Sequence, residues 1–186
     1  MAKLVKSTIP AIWREKAFID ISFPPPMKPE NMNKADTHAQ VIVARAKRRY
    51  EQVMQTGKAK INLDNYVNAI AGENLKGYCF VAADEFEAYF NSLGYKAKCV
   101  RVQVASGGDH YFTVINRGSK SRSLIVDGTW NQFYSSGSKP SFCLSGTLAE
   151  LQQTLQNTTC TNDLLDVYKA GLKVIGKWSS YNCFTG

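Results

Sequence analysis

Three residues of the 186-residue chain have the types that nucleophilic acyl transfer requires: Cys79, His110 and Asp127. In such chemistry a thiolate attacks a carbonyl carbon, an imidazole moves the proton, and a carboxylate holds the imidazole in one tautomer. Cys79 follows Gly77-Tyr78 and opens a run in which Ala82, Phe86, Tyr89, Phe90 and Leu93 recur at three- and four-residue spacing up to Gly94. That period predicts a helix with Cys79 in its first turn. Unpaired N–H groups and a partial positive charge at a helix start would stabilise a thiolate there and could receive an oxyanion. A small buried core cysteine fits the same segment.

The geometry of the other two residues is suggested by a hairpin. His110 to Ile115 and Leu124 to Asp127 read as strands flanking the polar stretch 116–123. A turn centred between Gly118 and Ser119 sets His110 directly opposite Asp127, within reach of an imidazole-to-carboxylate hydrogen bond. A one-residue slip would separate them. Taken singly, His110 could be a satisfied strand-edge residue, and Asp127, preceding Gly128, could start a turn. Their joint placement points to chemistry. The other histidine, His38, falls in the opening turn of a predicted helix, where a solvent-facing or capping role is expected.

The elements that must position these residues read as an α+β domain. Residues 1–35 hold five of the six prolines, including Pro24-Pro25-Pro26, and read as an extended N-terminal arm. Residues 36–186 read as one domain. A helix is expected from Asp36 or Thr37 to about Gly57, a shorter one over 64–71, and strands over 97–104, 110–115 and 124–127. Thr147 with Glu150 forms a capping-box pattern opening one late helix, and Asn162 or Asp163 opens another through Ile175.

With 44% apolar residues the chain can bury a core unaided, and no apolar run reaches the roughly 20 residues of a membrane span. Its start lacks the hydrophobic core of a Sec signal, so a soluble chain is expected. The net charge of +8 favours acidic partners in general. The cluster Lys47-Arg48-Arg49 reads as a solvated helix face, and no nucleic-acid-binding signature accompanies it. Five scattered cysteines (Cys79, Cys99, Cys143, Cys160 and Cys183) have poor spacing for zinc, and all but Cys79 read as core or incidental thiols. No metal or cofactor is expected.

Four motifs in order, Gly77-Tyr78-Cys79, Leu93-Gly94-Tyr95-Lys96-Ala97, His110-Tyr111-Phe112 and Val126-Asp127-Gly128-Thr129-Trp130, resemble the transglutaminase-like branch of the papain-like cysteine enzymes. With the extension Asn131-Gln132-Phe133 they look most like the papain-fold glutamine deamidases among bacterial toxins and effectors. The resemblance spans 75–133. Gly128 stands where many such proteins carry proline. The resemblance implies a papain-like core, a nucleophile helix packed on a small antiparallel sheet, with flanking helices. It also implies deamidation of a glutamine on a host protein through a thioester, and delivery by a specialised secretion system; a monomer is expected.

Papain-like enzymes often recruit an upstream amide side chain to the oxyanion. Asn74 is the nearby residue of that kind, beside the Cys79 backbone N–H. Tyr78 and Tyr111 flank the nucleophile and base and could contact substrate; Trp130 and Phe133 could wall the cleft, although large aromatics there are more often core. A peptidase or amidase, including one acting on cell-wall peptides, and a transglutaminase would use the same three residues. A binding module that has lost catalysis is the non-enzymatic alternative.

Overall fold

The computed structural model describes residues 3–4, 23–54 and 63–177. The predicted apolar periods form three helices before the sheet: α1 (Asp36–Met54), α2 (Leu63–Ile70) and α3 (Cys79–Ser92). Strands β2 (Ala97–Gln103), β3 (Asp109–Ile115) and β4 (Leu124–Asp127) follow within a residue or two of expectation. Two short strands complete a five-stranded sheet: β1 (Lys3–Leu4) and β6 (Leu144–Gly146). Its order is β1-β2-β3-β4-β6, every pairing antiparallel. A second, two-stranded sheet joins β5 (Tyr134–Gly137) to β7 (Thr158–Cys160).

Helix α4 (Leu148–Thr154) starts at the predicted capping box, with both reciprocal bonds between Thr147 and Glu150 present. Helix α5 (Leu164–Gly171) is capped by Asp163, whose carboxylate accepts the Asp166 N–H at 3.0 Å, and a 3-10 turn continues it to Lys177. The fold is thus mixed α+β, with helices on a small antiparallel sheet.

Side chains alternate across the sheet and divide the core in two. Ile115, Leu124 and Val126 join Ile42 and Val43 of α1 and Phe86, Tyr89 and Phe90 of α3. Phe112, Val114 and Ile125 join Trp130, Leu151, Val167 and Tyr168 on the side of α4 and α5. Every residue of β4 is buried, which explains its unbroken Leu-Ile-Val run.

Two sequence expectations change. The stretch read as part of an extended arm is packed where it is described: a 3-10 turn over Pro29–Lys34 buries Pro29 and Met32, and Phe23 meets Tyr89 edge-on at 5.4 Å. The Lys47-Arg48-Arg49 cluster is not a solvated face. All three residues are half-buried, with Lys47 paired to Glu73 and Arg49 to Asp84 and Glu85, because α1 lies against α2 and α3. Among the described residues no helix is long and apolar enough to cross a membrane.

Candidate active site

Cys79 is the first residue of α3, after Gly77, whose positive φ of 91° turns the chain into the helix. Its neighbour Tyr78 stands at the N-cap without a side-chain capping bond, so the first-turn N–H groups are not capped from within the helix. The helix is pinned to the sheet by Thr113, whose hydroxyl donates to the Ala83 carbonyl at 2.9 Å. Cys79 is 5% exposed and sits in the floor of a cleft of about 620 Å³.

His110 and Asp127 do meet, though not through the expected register. Strand β3 pairs Thr113 with Val126 and Ile115 with Leu124, which continues to set Asp127 opposite Phe112, two residues from His110. The turn is centred one residue later than the polar stretch suggests. A two-residue shift keeps both side chains on the same face, and His110 Nε2 reaches Asp127 Oδ2 at 2.6 Å. Both residues are essentially inaccessible.

The other carboxylate oxygen, Oδ1, accepts the Thr129 N–H at 2.9 Å and its hydroxyl at 3.2 Å. The imidazole lies edge-on to Phe133 at 4.7 Å and stacks on Phe112 at 5.9 Å. With Nε2 committed to Asp127, Nδ1 is the nitrogen left for the thiol, and Cys79 lies within hydrogen-bonding reach of the ring. Burial pulls the imidazole pKa down. The charge and hydrogen bond of Asp127, aided by Cys79, outweigh that and raise it from 6.5 to about 10.

Gln132 is a site residue that the sequence reading left without a role. It sits on the 3-10 turn Trp130–Phe133, whose ends Trp130 and Phe133 are both buried. Gln132 Nε2 donates to the Thr129 carbonyl at 2.9 Å, which identifies the nitrogen end of the amide. The same atom is 3.3 Å from His110 Nδ1, and Gln132 lines the cleft with Cys79. Its position in the Trp130-Asn131-Gln132-Phe133 stretch was visible in the sequence. Which amide turns to His110 is set by the 3-10 turn, and Asn131 instead donates to the Glu73 carbonyl at 2.9 Å.

The remaining expected residues separate into those at the cleft and those away from it. Tyr111 lines the cleft beside Phe80 and Phe133. Asn74 does not reach it: the side chain is exposed, and its Oδ1 accepts the Lys76 N–H at 3.0 Å in a local turn. Trp130 is fully buried and donates to the Ser141 and Phe142 carbonyls at 3.1 Å, so it belongs to the core and not to a substrate wall. Tyr78 points its hydroxyl at Glu51, 3.0 Å away, and packs against Tyr50 outside the cleft. His38 is half-buried in the first turn of α1.

Cys143 and Cys160 are free thiols, whereas Cys99 is disulfide-bonded, which corrects its reading as an incidental thiol; Cys183 lies outside the described residues. Gly128 has a packing reason: a Cβ there would come within 2.7 Å of both Val43 Cγ2 and Phe86 Cε2. Among the described residues no group of three or more His, Cys, Asp or Glu side chains is placed to hold a metal ion. Comparison with protein-family models, with curated proteins and with solved structures gives no match to this chain.

Proposed function

We propose that the protein is a papain-like cysteine hydrolase that deamidates a glutamine side chain on another protein. The observation that carries the reading is the meeting of Cys79, His110 Nδ1 and the Gln132 amide at one cleft, with Asp127 holding the opposite edge of the imidazole. In this reading the proton of the thiol already rests on Nδ1, in keeping with the raised pKa of His110, and the Cys79 sulfur attacks the carboxamide carbon. The oxyanion is received by the Cys79 N–H and by Gln132 Nε2, replacing the role expected of Asn74. His110 returns the proton to the departing nitrogen, ammonia leaves, and a thioester remains. Water then adds, passing a proton through His110 to the released sulfur, and the products are a carboxylate and the free thiol.

Glutamine, as opposed to a peptide bond, is favoured by the extension Trp130-Asn131-Gln132-Phe133, which resembles that of effector deamidases. The Cys99 disulfide suits a protein that works, or travels, outside a reducing cytosol, in keeping with export to a target cell. The test is mass spectrometry of host-cell proteins treated with the wild-type protein or with Cys79→Ala. The expected result is a Cys79-dependent gain of about one dalton at a glutamine, with no new chain ends. New termini would make the protein a peptidase, lysine-linked products a transglutaminase. Identical spectra from the two proteins would overturn the enzymatic reading.

A further inference from the structure

Beyond the three residues and Gln132, the cluster has a member supplied from the far end of the chain. Tyr168 on α5 is fully buried, and its hydroxyl donates to Asp127 Oδ2 at 2.9 Å. That oxygen is the one bonded to His110 Nε2, so a single carboxylate oxygen serves both donors. The contact is built by close packing. Gly171 lies so near Phe112 that a Cβ would come within 2.2 Å of its Cζ, and the Phe112 ring meets Tyr168 edge-on at 5.0 Å. The helix can therefore lie flat on the ring that stacks against His110.

We infer that Tyr168 is a positioning residue that tunes the histidine: its hydroxyl takes up part of the charge on Asp127 Oδ2 and so limits how strongly the carboxylate holds a proton on His110. The inference rests on His110 being the base of the proposed site. A hydrogen bond to a carboxylate spreads its charge and weakens its pull on a neighbouring imidazolium. An unrestrained Asp127 would keep the proton on the ring too firmly for it to be passed to a leaving nitrogen. The other titratable groups facing this pair are Cys79 from α3 and Cys143 from the segment before β6, with Cys160 acting on Tyr168 and Asp36 on Cys143 from further out. Burial, with the charge of Asp127, pushes the Cys143 thiol and the Tyr168 phenol well above their ordinary ranges.

The test needs no substrate. The imidazole signals of His110 are titrated by NMR in the wild-type protein and in Tyr168→Phe, with His38→Gln used to assign the two histidines. Loss of the hydroxyl is expected to move the His110 midpoint up by about half a pH unit or more. A midpoint that is unchanged, or lower as a loosened Asp127 contact would make it, overturns the inference. Thermal melting checks that the variant is folded, and the Phe ring retains the contact with Phe112.

A second readout is the rate of Cys79 carboxymethylation by iodoacetate, a reagent whose negative charge is drawn to the imidazolium. Its alkaline limb should move up with the midpoint in Tyr168→Phe. If wild-type Cys79 reacts no faster than a free thiol, the acyl-transfer reading fails while the Tyr168 effect on His110 can still be read from the NMR midpoint.

Discussion

At the residue scale, the site is decided by which nitrogen faces which partner. Asp127 holds Nε2, and the Gln132 amide faces Nδ1. With the imidazole protonated, Nδ1 and Gln132 Nε2 are both donors, so the Gln132 N–H that faces the ring is left for another acceptor. In the proposed reaction an oxyanion on the attacked carbon is that acceptor. Gln132→Glu keeps the shape and removes the donation. It should lower affinity for a peptide aldehyde, whose adduct with Cys79 places an oxygen in the same position, by about a hundredfold. Attack on the neutral reagent iodoacetamide forms no oxyanion and should be reduced much less. Equal losses in the two reactions would mean that Gln132 supports the fold and not the oxyanion.

At the element scale, α3 is held against the sheet by close contacts that a single atom can disturb. Gly128 follows Asp127 where Val43 of α1 and Phe86 of α3 converge, both buried. Gly128→Ala forces a methyl into that space and should cost about 1–3 kcal/mol in denaturant unfolding, typical of overpacking. Val43→Ala removes the methyl nearest the intrusion, so the double variant should recover part of the loss. Strictly additive costs would show that the two sites are not coupled. The same convergence explains why proline at this position does not suit this chain. Glu85, also buried, pairs with Arg45 at 3.5 Å and Arg49 at 3.2 Å, tying the outer side of α3 to α1.

At the scale of the whole molecule, the raised pKa of His110 links stability to pH. The folded state holds this proton up to about pH 10, whereas the unfolded chain releases it near 6.5. Between those values the folded state binds more protons, so this contribution is complete below about 6.5 and is lost as pH rises through about 10. The melting temperature of the wild-type protein relative to Asp127→Asn should fall across that window. A difference that does not vary with pH would mean that the pair contributes no such linkage.

The helical period from Cys79, the capping box at Thr147 and the strands on either side of the polar hairpin were readable in the sequence because each is a local pattern with its own signal. His110 and Asp127 were paired correctly through an incorrect register, since alternation preserves the face under a two-residue shift while loop residues alone do not locate the turn. Asn74 was misplaced because nearness in sequence does not say where a turn aims a side chain, whereas the core reading of Trp130 holds. Tyr168 had no local signal at all: 41 positions separate it from Asp127, and only the packing of α5 on Phe112 brings its hydroxyl to the carboxylate. Sequence by itself determined the residue types and the elements that carry them, because period and capping act over a few residues. Tertiary structure decided which donors share one carboxylate oxygen and which amide faces the histidine, because those distances depend on how separate elements pack.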